Sequence, residues 1–245
     1  SDSGLRFDDA TDPTNTIRLA SLSSGQLGGT PRFIAIHERY ALVSVYDGST
    51  LKYGVTLIDF DDPGSPVVLG QLPSLADWIG GVEFYNGIAQ VSTGSEGLKL
   101  VDISNPSSLA VLNGSATPIQ ASRTSAVGDL VFIAQSSSGF SVADLSSPAS
   151  PEILSSLDTN SVVHDVAVDG SVAYLASGSK GLQVVDVRDP HAPRLIREFG
   201  TSGDARRVLV TEDLVLVSTV SGGLWIFEKG GGSLPEATSA GHYQM

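Results

Sequence analysis

The chain has 245 residues, no cysteine and a formal net charge of -13 at neutral pH. This charge argues against a nucleic-acid partner and against adhesion to anionic membranes, and the lack of cysteine excludes disulfides and thiolate metal sites. No apolar run approaches the roughly 18 residues that a membrane-spanning helix needs, so we expect no membrane insertion. Hydrophobic residues make up 41% of the chain and charged residues 17%, which is typical of a folded, strand-rich protein.

One six-residue phrase recurs along the chain at intervals of 42 or 43 residues. It consists of a glycine, four mostly apolar residues and an aspartate, and a proline follows four residues later. The clear copies are residues 54–59, 97–102, 139–144 and 181–186, and a weaker copy at residues 223–228 keeps this spacing. Another weak copy, at residues 4–9, opens the chain outside the regular spacing. A period near 42 with several short strands in each repeat is typical of a β-propeller, in which each repeat forms one blade.

Four strand candidates, A to D in chain order, make up each repeat. Strands A and B are β-branched stretches joined by a tight turn, the phrase is strand C, and strand D follows the proline. The predicted blades span approximately residues 30–71, 78–113, 121–156, 163–199 and 205–228. The sequence therefore predicts an all-β, five-bladed β-propeller with four-stranded antiparallel blades over residues 1–229, followed by an unpatterned tail over residues 230–245.

The last repeat has no segment that matches strand D, whereas residues 16–23 do match this strand. A propeller must close its ring, because an open sheet edge exposes unpaired backbone groups. We therefore expect the N-terminal strand to pair into the last blade and to close the ring. Residues 4–9 and 223–228 compete for the strand C position of this blade, and the C-terminal copy is favoured.

The repeated aspartate has a structural explanation. Its carboxylate can accept hydrogen bonds from the backbone amides of the following turn, and the nearby proline restricts that turn. A catalytic group would not need to recur in every blade. We therefore expect these aspartates to stabilise turns.

The stretches LVDISNP at residues 100–106 and VVDVRDP at residues 184–190, with DVAVDGSVAYLA at residues 165–176, resemble the LVIVD-repeat family. The resemblance extends over about residues 30–228. It implies a β-propeller that is secreted or attached to a cell surface and that has an interaction role. The motif describes how blades pack and implies no particular activity.

Propellers commonly bind ligands where the A strands begin, at the mouth of a central channel, and we apply this analogy to the aligned repeats. The residues at these positions are Arg32, Trp78, Arg123, His164, Asp165, Arg206 and Arg207. In one interpretation these cations pair with acids such as Asp77, Asp165 and Asp204 and seal the mouth. In the other, the guanidinium groups converge on an anion, because arginine offers a planar fork that stays charged.

Two further features could add specificity at the mouth. Trp78 offers a stacking surface for a sugar or an aromatic ring. The loop between strands B and C is longest in the first repeat, at residues 46–53, and it carries Tyr46 and Tyr53. An insertion in one copy of a regular repeat is a common source of asymmetry, although a simple loop extension explains it equally well.

These observations predict an extracellular, cell-surface or periplasmic binding module. Its partner would be an anionic small molecule or glycan, carboxylated or sulfated, or a surface protein. One alternative is an enzyme of lyase or hydrolase type, with His164 as general acid or base, Asp165 assisting and the arginines holding an anionic substrate. Another is a purely structural surface domain. We expect no cofactor and no metal site, because the histidines fall at scattered positions of the repeat.

Overall fold

The computed structural model describes residues 4–112 and 120–229, and the backbone of residues 241–243. These parts of the chain contain five four-stranded antiparallel sheets, numbered 1 to 5 in chain order, and one two-stranded sheet. The protein is therefore all-β, as predicted. The chain divides into two compact units, residues 1–116 and residues 117–245.

The first unit contains a short helix, the two-stranded sheet and two four-stranded sheets. The two-stranded sheet consists of β1 (Leu5–Asp9) and β2 (Ile17–Leu22), and the helix α1 (Ser24–Leu27) follows it. Sheet 1 consists of β3 (Thr30–His37), β4 (Tyr40–Asp47), β5 (Lys52–Asp59) and β6 (Val67–Ala76). Sheet 2 consists of β7 (Gly81–Tyr85), β8 (Ile88–Ser92), β9 (Leu98–Asp102) and β10 (Ala110–Val111).

The second unit contains three four-stranded sheets. Sheet 3 consists of β11 (Arg123–Val127), β12 (Leu130–Ala134), β13 (Phe140–Asp144) and β14 (Glu152–Leu157). Sheet 4 consists of β15 (Asp165–Asp169), β16 (Val172–Ala176), β17 (Leu182–Asp186) and β18 (Arg194–Phe199). Sheet 5 consists of β19 (Ala205–Val210), β20 (Leu214–Thr219), β21 (Gly223–Glu228) and β22 (Gly241–Tyr243). Among the described residues, no helix has the length and apolar character that crossing a membrane requires.

The repeated aspartate stabilises the turn between strands C and D, as predicted. In each clear copy of the phrase, its Oδ1 accepts a hydrogen bond from the backbone amide two residues later. The donor–acceptor distances are 2.9 Å for Asp61 to Asp59, 2.8 Å for Ser104 to Asp102, 2.6 Å for Ser146 to Asp144 and 3.1 Å for Arg188 to Asp186. The aspartate therefore provides a hydrogen-bond acceptor for a turn amide that has no partner on a neighbouring strand.

Strand D carries one extra residue in the three sheets where this pairing is long enough to compare. In sheet 3, Val142 pairs with Ser155 and Ala143 pairs with Ile153, so Leu154 is left without an opposite residue. The same bulge occurs between β17 and β18, at Ile196, and between β5 and β6. A bulge bends strand D and increases the local twist, so it is part of the repeat.

The core lies between neighbouring sheets of the same unit. Strands B and C supply most of it, and the five residues of β8 and of β16 are all buried because both faces of these strands are covered. One apolar cluster joins sheets 1 and 2, another joins sheets 3 and 4, and a third joins sheets 4 and 5. The inner strands are therefore mostly apolar, although some carry a buried polar residue such as Gln90 or Gln183.

The N-terminal segment does not pair into the last sheet, so this part of the prediction is wrong. Residues 17–22 form β2, which pairs with β1, and their pairing has the same bulge, at Leu19. Asp9 also accepts the amide of Thr11 at 2.9 Å, as in the other turns between strands C and D. The two strands are thus the C and D strands of one further repeat. Because the connection between them is short, this pairing loses less loop-closure entropy than pairing with a strand far away in the sequence.

The fourth strand of sheet 5 comes from the C-terminal tail. β22 pairs with β21, with Gly241 opposite Ile226 and Tyr243 opposite Leu224. The tail thus contributes a strand at residues 241–243, which the sequence did not indicate because they contain too few apolar residues to match strand D. The remainder of the tail, residues 230–240 and 244–245, lies outside the described residues.

The glycine that opens each phrase generates the first prediction. Gly181 has φ 76°, and a Cβ built on it collides with the carbonyl oxygen of Phe199, whereas Gly170 has φ 57° with nothing within 4 Å. Gly170→Ala is expected to cost about 1 kcal/mol for the left-handed backbone alone. Gly181→Ala is expected to cost about 3 kcal/mol, because the clash adds to this strain. Chemical denaturation measures both, and equal losses would contradict the role of the close approach.

The turn aspartates generate a prediction for acid stability. The hydrogen bonds from the side chain and then the backbone amide of Arg188 lower the pKa of Asp186 from its ordinary value of 3.8 to about 2. A lowered pKa stabilises the folded state above pH 3.8, and this contribution is lost as the pH falls toward 2. In Asp186→Asn, the unfolding midpoint is therefore expected to depend less on pH across this window, as measured by thermal unfolding from pH 5 to about 2.

The matched control is Asp213→Asn, at an exposed aspartate whose carboxylate makes no hydrogen bond among the described residues. Its pH dependence should match that of the wild type. Equal behaviour of the two variants would show that the Asp186 turn makes no special contribution in acid.

Candidate functional site

In the second unit, backbone bridges fix the starts of the A strands. Ser136, in the loop between β12 and β13, bridges Val163 just before β15, with hydrogen bonds of 3.0 and 2.9 Å. Gly178, in the equivalent loop of sheet 4, bridges Ala205 at the start of β19, at 3.2 and 2.9 Å. Each loop thus holds the beginning of the next sheet, and side chains from consecutive repeats come together there.

Asp165 connects three A strands at this end of the second unit. Asp165 is 8% exposed. Its Oδ2 accepts a hydrogen bond from the backbone amide of Val208 on β19 at 3.1 Å, and its Oδ1 accepts one from the backbone amide of Val166. The Nε of Arg123 on β11 lies 4.0 Å from Oδ1. Burial raises the pKa of Asp165, and the charge of Arg123 opposes this shift. The carboxylate therefore links β15 to β19 and β11.

His164 and Arg206 lie beside Asp165 and face solvent more openly. Nδ1 of His164 is 3.5 Å from a terminal guanidinium nitrogen of Arg206, whose other terminal nitrogen is 3.7 Å from a carboxylate oxygen of Asp204. Burial, and then the charge of Arg206, lower the pKa of His164. The imidazole is therefore neutral at neutral pH and can accept a proton or a hydrogen bond.

Arg207 completes this arrangement, which we call the arginine cluster: Arg123, His164, Asp165, Asp204, Arg206 and Arg207. Arg207 donates to the backbone carbonyl of Arg206 at 3.0 Å, and both of these residues are exposed. The cluster holds three guanidinium groups against two carboxylates. It is thus a cationic spot in a chain with a net charge of -13.

The site candidates of the first unit form two smaller groups. In one, the guanidinium carbon of Arg32 lies over the ring of Tyr46, 5.8 Å from its centroid, and Tyr46 lies 5.0 Å from Tyr53 between ring centroids. The two tyrosines face each other because β4 and β5 pair them directly. The long loop of the first repeat therefore continues a regular hairpin and presents two aromatic rings to one arginine.

Trp78 belongs to the other group. Its side chain is exposed and lies against Gly94, where an added Cβ would be 2.9 Å from its Cε3. Asp77 beside it pairs with Lys52, and its backbone amide donates to Glu96 at 2.8 Å. An exposed indole on a glycine is available for stacking.

The contacts of these cations can be compared with the sealing interpretation. Arg123 is paired with Asp165 and Arg206 with Asp204, as the sealing interpretation expects. Asp77 pairs with Lys52, and no arginine of the described residues forms an ion pair with it; the alignment of repeats did not indicate this lysine. Among the described residues, no three His, Cys, Asp or Glu side chains are grouped so that they could hold a metal ion.

Sequence reasoning missed a concave region in the first unit. It lies at the far end of β3 and β7, where the turns between strands A and B carry His37 and Tyr85. The signal was present, since both neighbouring repeats place aromatic residues around this turn.

The fold and the repeats define the class of this protein: an all-β repeat protein built from antiparallel four-stranded sheets. The family model described as the LVIVD repeat matches residues 82–117, 120–159 and 162–201. This part of the chain therefore carries three LVIVD repeats, as the resemblance in its sequence indicated. No curated protein matches the sequence.

Several solved structures share the fold at low sequence identity. A putative 6-phosphogluconolactonase from Bacteroides uniformis ATCC 8492 is 14% identical, with a TM-score of 0.74 over 94% of this chain and 76% of its own. A functionally unknown protein from Desulfotomaculum acetoxidans DSM 771 is 14% identical, with a TM-score of 0.67 over 93% and 72%. The computationally designed Ika8 protein is 13% identical, with a TM-score of 0.56 over 82% and 72%. These similarities describe the fold alone.

The contacts of Asp165 generate a prediction for stability. Asp165→Ala removes the acceptor of two backbone amides and the partner of Arg123, and is expected to cost about 3 kcal/mol. Asp165→Asn keeps one acceptor oxygen and should cost less. Urea denaturation of the two variants measures the difference. A wild-type midpoint for the alanine variant would contradict the structural role of this carboxylate.

Proposed function

We propose that the protein is a β-propeller-like binding module, with its four-stranded sheets as blades, and that the arginine cluster recognises an anionic ligand. The observation that carries the proposal is the exposed pair Arg206 and Arg207 beside a neutral His164. Carboxylated or sulfated small molecules and glycans are the ligand classes that fit. A surface protein that presents such groups is an equivalent partner.

The ion pair of Arg206 leaves room for a ligand. Its nearest carboxylate oxygen, on Asp204, is 3.7 Å away, and the two side chains are 46% and 50% exposed. An exposed pair of this length is weak, since water and salt compete for both charges. A ligand carboxylate or sulfate can therefore replace Asp204 and form two parallel hydrogen bonds with the guanidinium fork.

His164 adds selectivity to this site. Because its imidazole is neutral at neutral pH, it places no further positive charge beside Arg206 and can pair with a ligand hydroxyl. Sugar acids and sulfated sugars combine an anionic group with neighbouring hydroxyls. These are the ligands that the combination of Arg206 and His164 fits best.

A catalytic role for His164 is the second candidate, and its lowered pKa is the observation that favours it. A neutral imidazole next to an anion-binding arginine can act as a general base. Asp165 would contribute only indirectly, because its oxygens accept the amides of Val166 and Val208. A purely structural surface domain is the remaining alternative.

Location outside the cytoplasm is part of the proposal. The chain has four lysines against ten arginines, and the exposed loops are rich in serine, glycine and aspartate. The LVIVD-repeat family resemblance is the other support for a secreted, periplasmic or surface-attached protein. Arg32 with its tyrosines, and Trp78, are proposed as additional contacts for a sugar or an acidic group.

The test is a thermal-shift screen with oligogalacturonate, a sulfated glycan and small sugar acids. A ligand that binds the folded state raises the unfolding midpoint by mass action. We expect a shift for the wild type that is lost in the Arg206→Ala/Arg207→Ala variant. The control, Arg194→Ala/Arg197→Ala, removes two exposed arginines of β18 in the same unit, so it changes the net charge equally.

The outcomes separate the candidates. Equal loss of the shift in both double variants would indicate non-specific charge attraction and would contradict the proposed site. No shift for any ligand would sink the proposal for these classes. Consumption of a bound ligand by the wild type, lost in His164→Ala, would favour the catalytic candidate.

A further inference from the structure

The concave region of the first unit around His37 and Tyr85 is a cavity of about 390 Å³ between sheets 1 and 2. Two neighbouring turns between strands A and B form its rim: residues 37–40 in sheet 1 and residues 85–87 in sheet 2. The turn that follows β9 closes one side with Pro106. This volume lies in the range of pockets that hold small molecules.

Aromatic rings and aliphatic side chains form the walls of the cavity. His37 and Phe84 have ring centroids 5.8 Å apart at an interplanar angle of 36°, and Tyr40 and Tyr85 add two further rings. Leu57, which is 2% exposed, lies at the buried side of the lining. The apolar surface is therefore large enough to attract the hydrocarbon part of a ligand.

Glu38 gives the cavity its charge. It stands on the rim at φ 52° and is exposed, and the described lining contains no lysine or arginine. The neighbouring Arg39 is held by Asp59 and lies 3.6 Å from Asp61, with its guanidinium carbon 5.7 Å from the centroid of Tyr40. The local positive charge is thus neutralised, while Glu38 has no ion-pair partner among the described residues.

We propose that this cavity binds an organic ammonium ion with an apolar body, such as an aromatic or quaternary amine. The negative faces of aromatic rings attract a cation, and a carboxylate at the rim adds to this attraction. An anion would meet Glu38 and the turn aspartates nearby, so it is disfavoured. A neutral ligand would gain only the apolar contact.

The cavity and the arginine cluster are independent. They lie in different units of the chain, and the cavity is at the opposite end of β3 from Arg32. The ligands proposed for the two sites also carry charges of opposite sign. Failure of one proposal therefore leaves the other unaffected.

The test is isothermal titration calorimetry of the full chain with benzyltrimethylammonium, in parallel with phenylacetate and benzyl alcohol as ring-containing anionic and neutral probes. We expect benzyltrimethylammonium to bind at least about 5-fold more tightly than either. Glu38→Gln should weaken this binding about 3- to 5-fold without changing that of benzyl alcohol. The matched control is Glu212→Gln, which removes an exposed acid in the corresponding turn of sheet 5.

A second variant, Phe84→Leu, tests the aromatic wall. It should weaken the binding of benzyltrimethylammonium more than that of benzyl alcohol, and circular dichroism checks that it folds. Equal affinity for phenylacetate, an equal effect of Glu38→Gln and Glu212→Gln, or no binding of benzyltrimethylammonium up to about 10 mM would each overturn the proposal.

Discussion

The hydrogen bond between the aspartate that ends strand C and the amide two residues later is the interaction on which the sheets depend. It satisfies a backbone amide that lies beyond the end of strand C and has no partner on a neighbouring strand, and it begins the turn that leads into strand D. The bulge in strand D then bends the returning strand. Because turn and bulge occur together in several repeats, they act as one device that sets the width and the twist of each sheet.

The same device explains why β1 and β2 stay together. Asp9 starts their turn and Leu19 forms their bulge, so this pair is complete as a C–D hairpin without any other strand. Pairing of β2 with a distant sheet would require closing a much longer loop for the same hydrogen bonds. The local connection therefore outweighs the advantage of closing a ring through the N-terminal segment.

Strand positions could be predicted from the sequence because they depend on local signals. The glycine, the apolar run, the aspartate and the proline fix strand C and its turns, and the β-branched stretches mark strands A and B. The pairing of the strands at the two chain ends could not be predicted. The repeat period shows which segments can serve as strand D, but it does not show which sheet each of them joins. β22 is a further case, because Gly241–Tyr243 is held by pairing with β21 and has no apolar pattern of its own.

The candidate site was predictable to the same extent and for the same reason. Alignment of repeats placed Arg123, His164 and Arg206 at equivalent positions, and the bridges between sheets bring them together. Asp77 pairs with Lys52, which lies in the longer loop of the first repeat. The other repeats have no equivalent of this loop, so their alignment could not indicate the pair. The repeat also separates charge, because turn aspartates recur at one end of the strands in every clear copy. Residues that vary between repeats carry the arginines at the other end, so ligand recognition by positive charge can change there without loss of the turns.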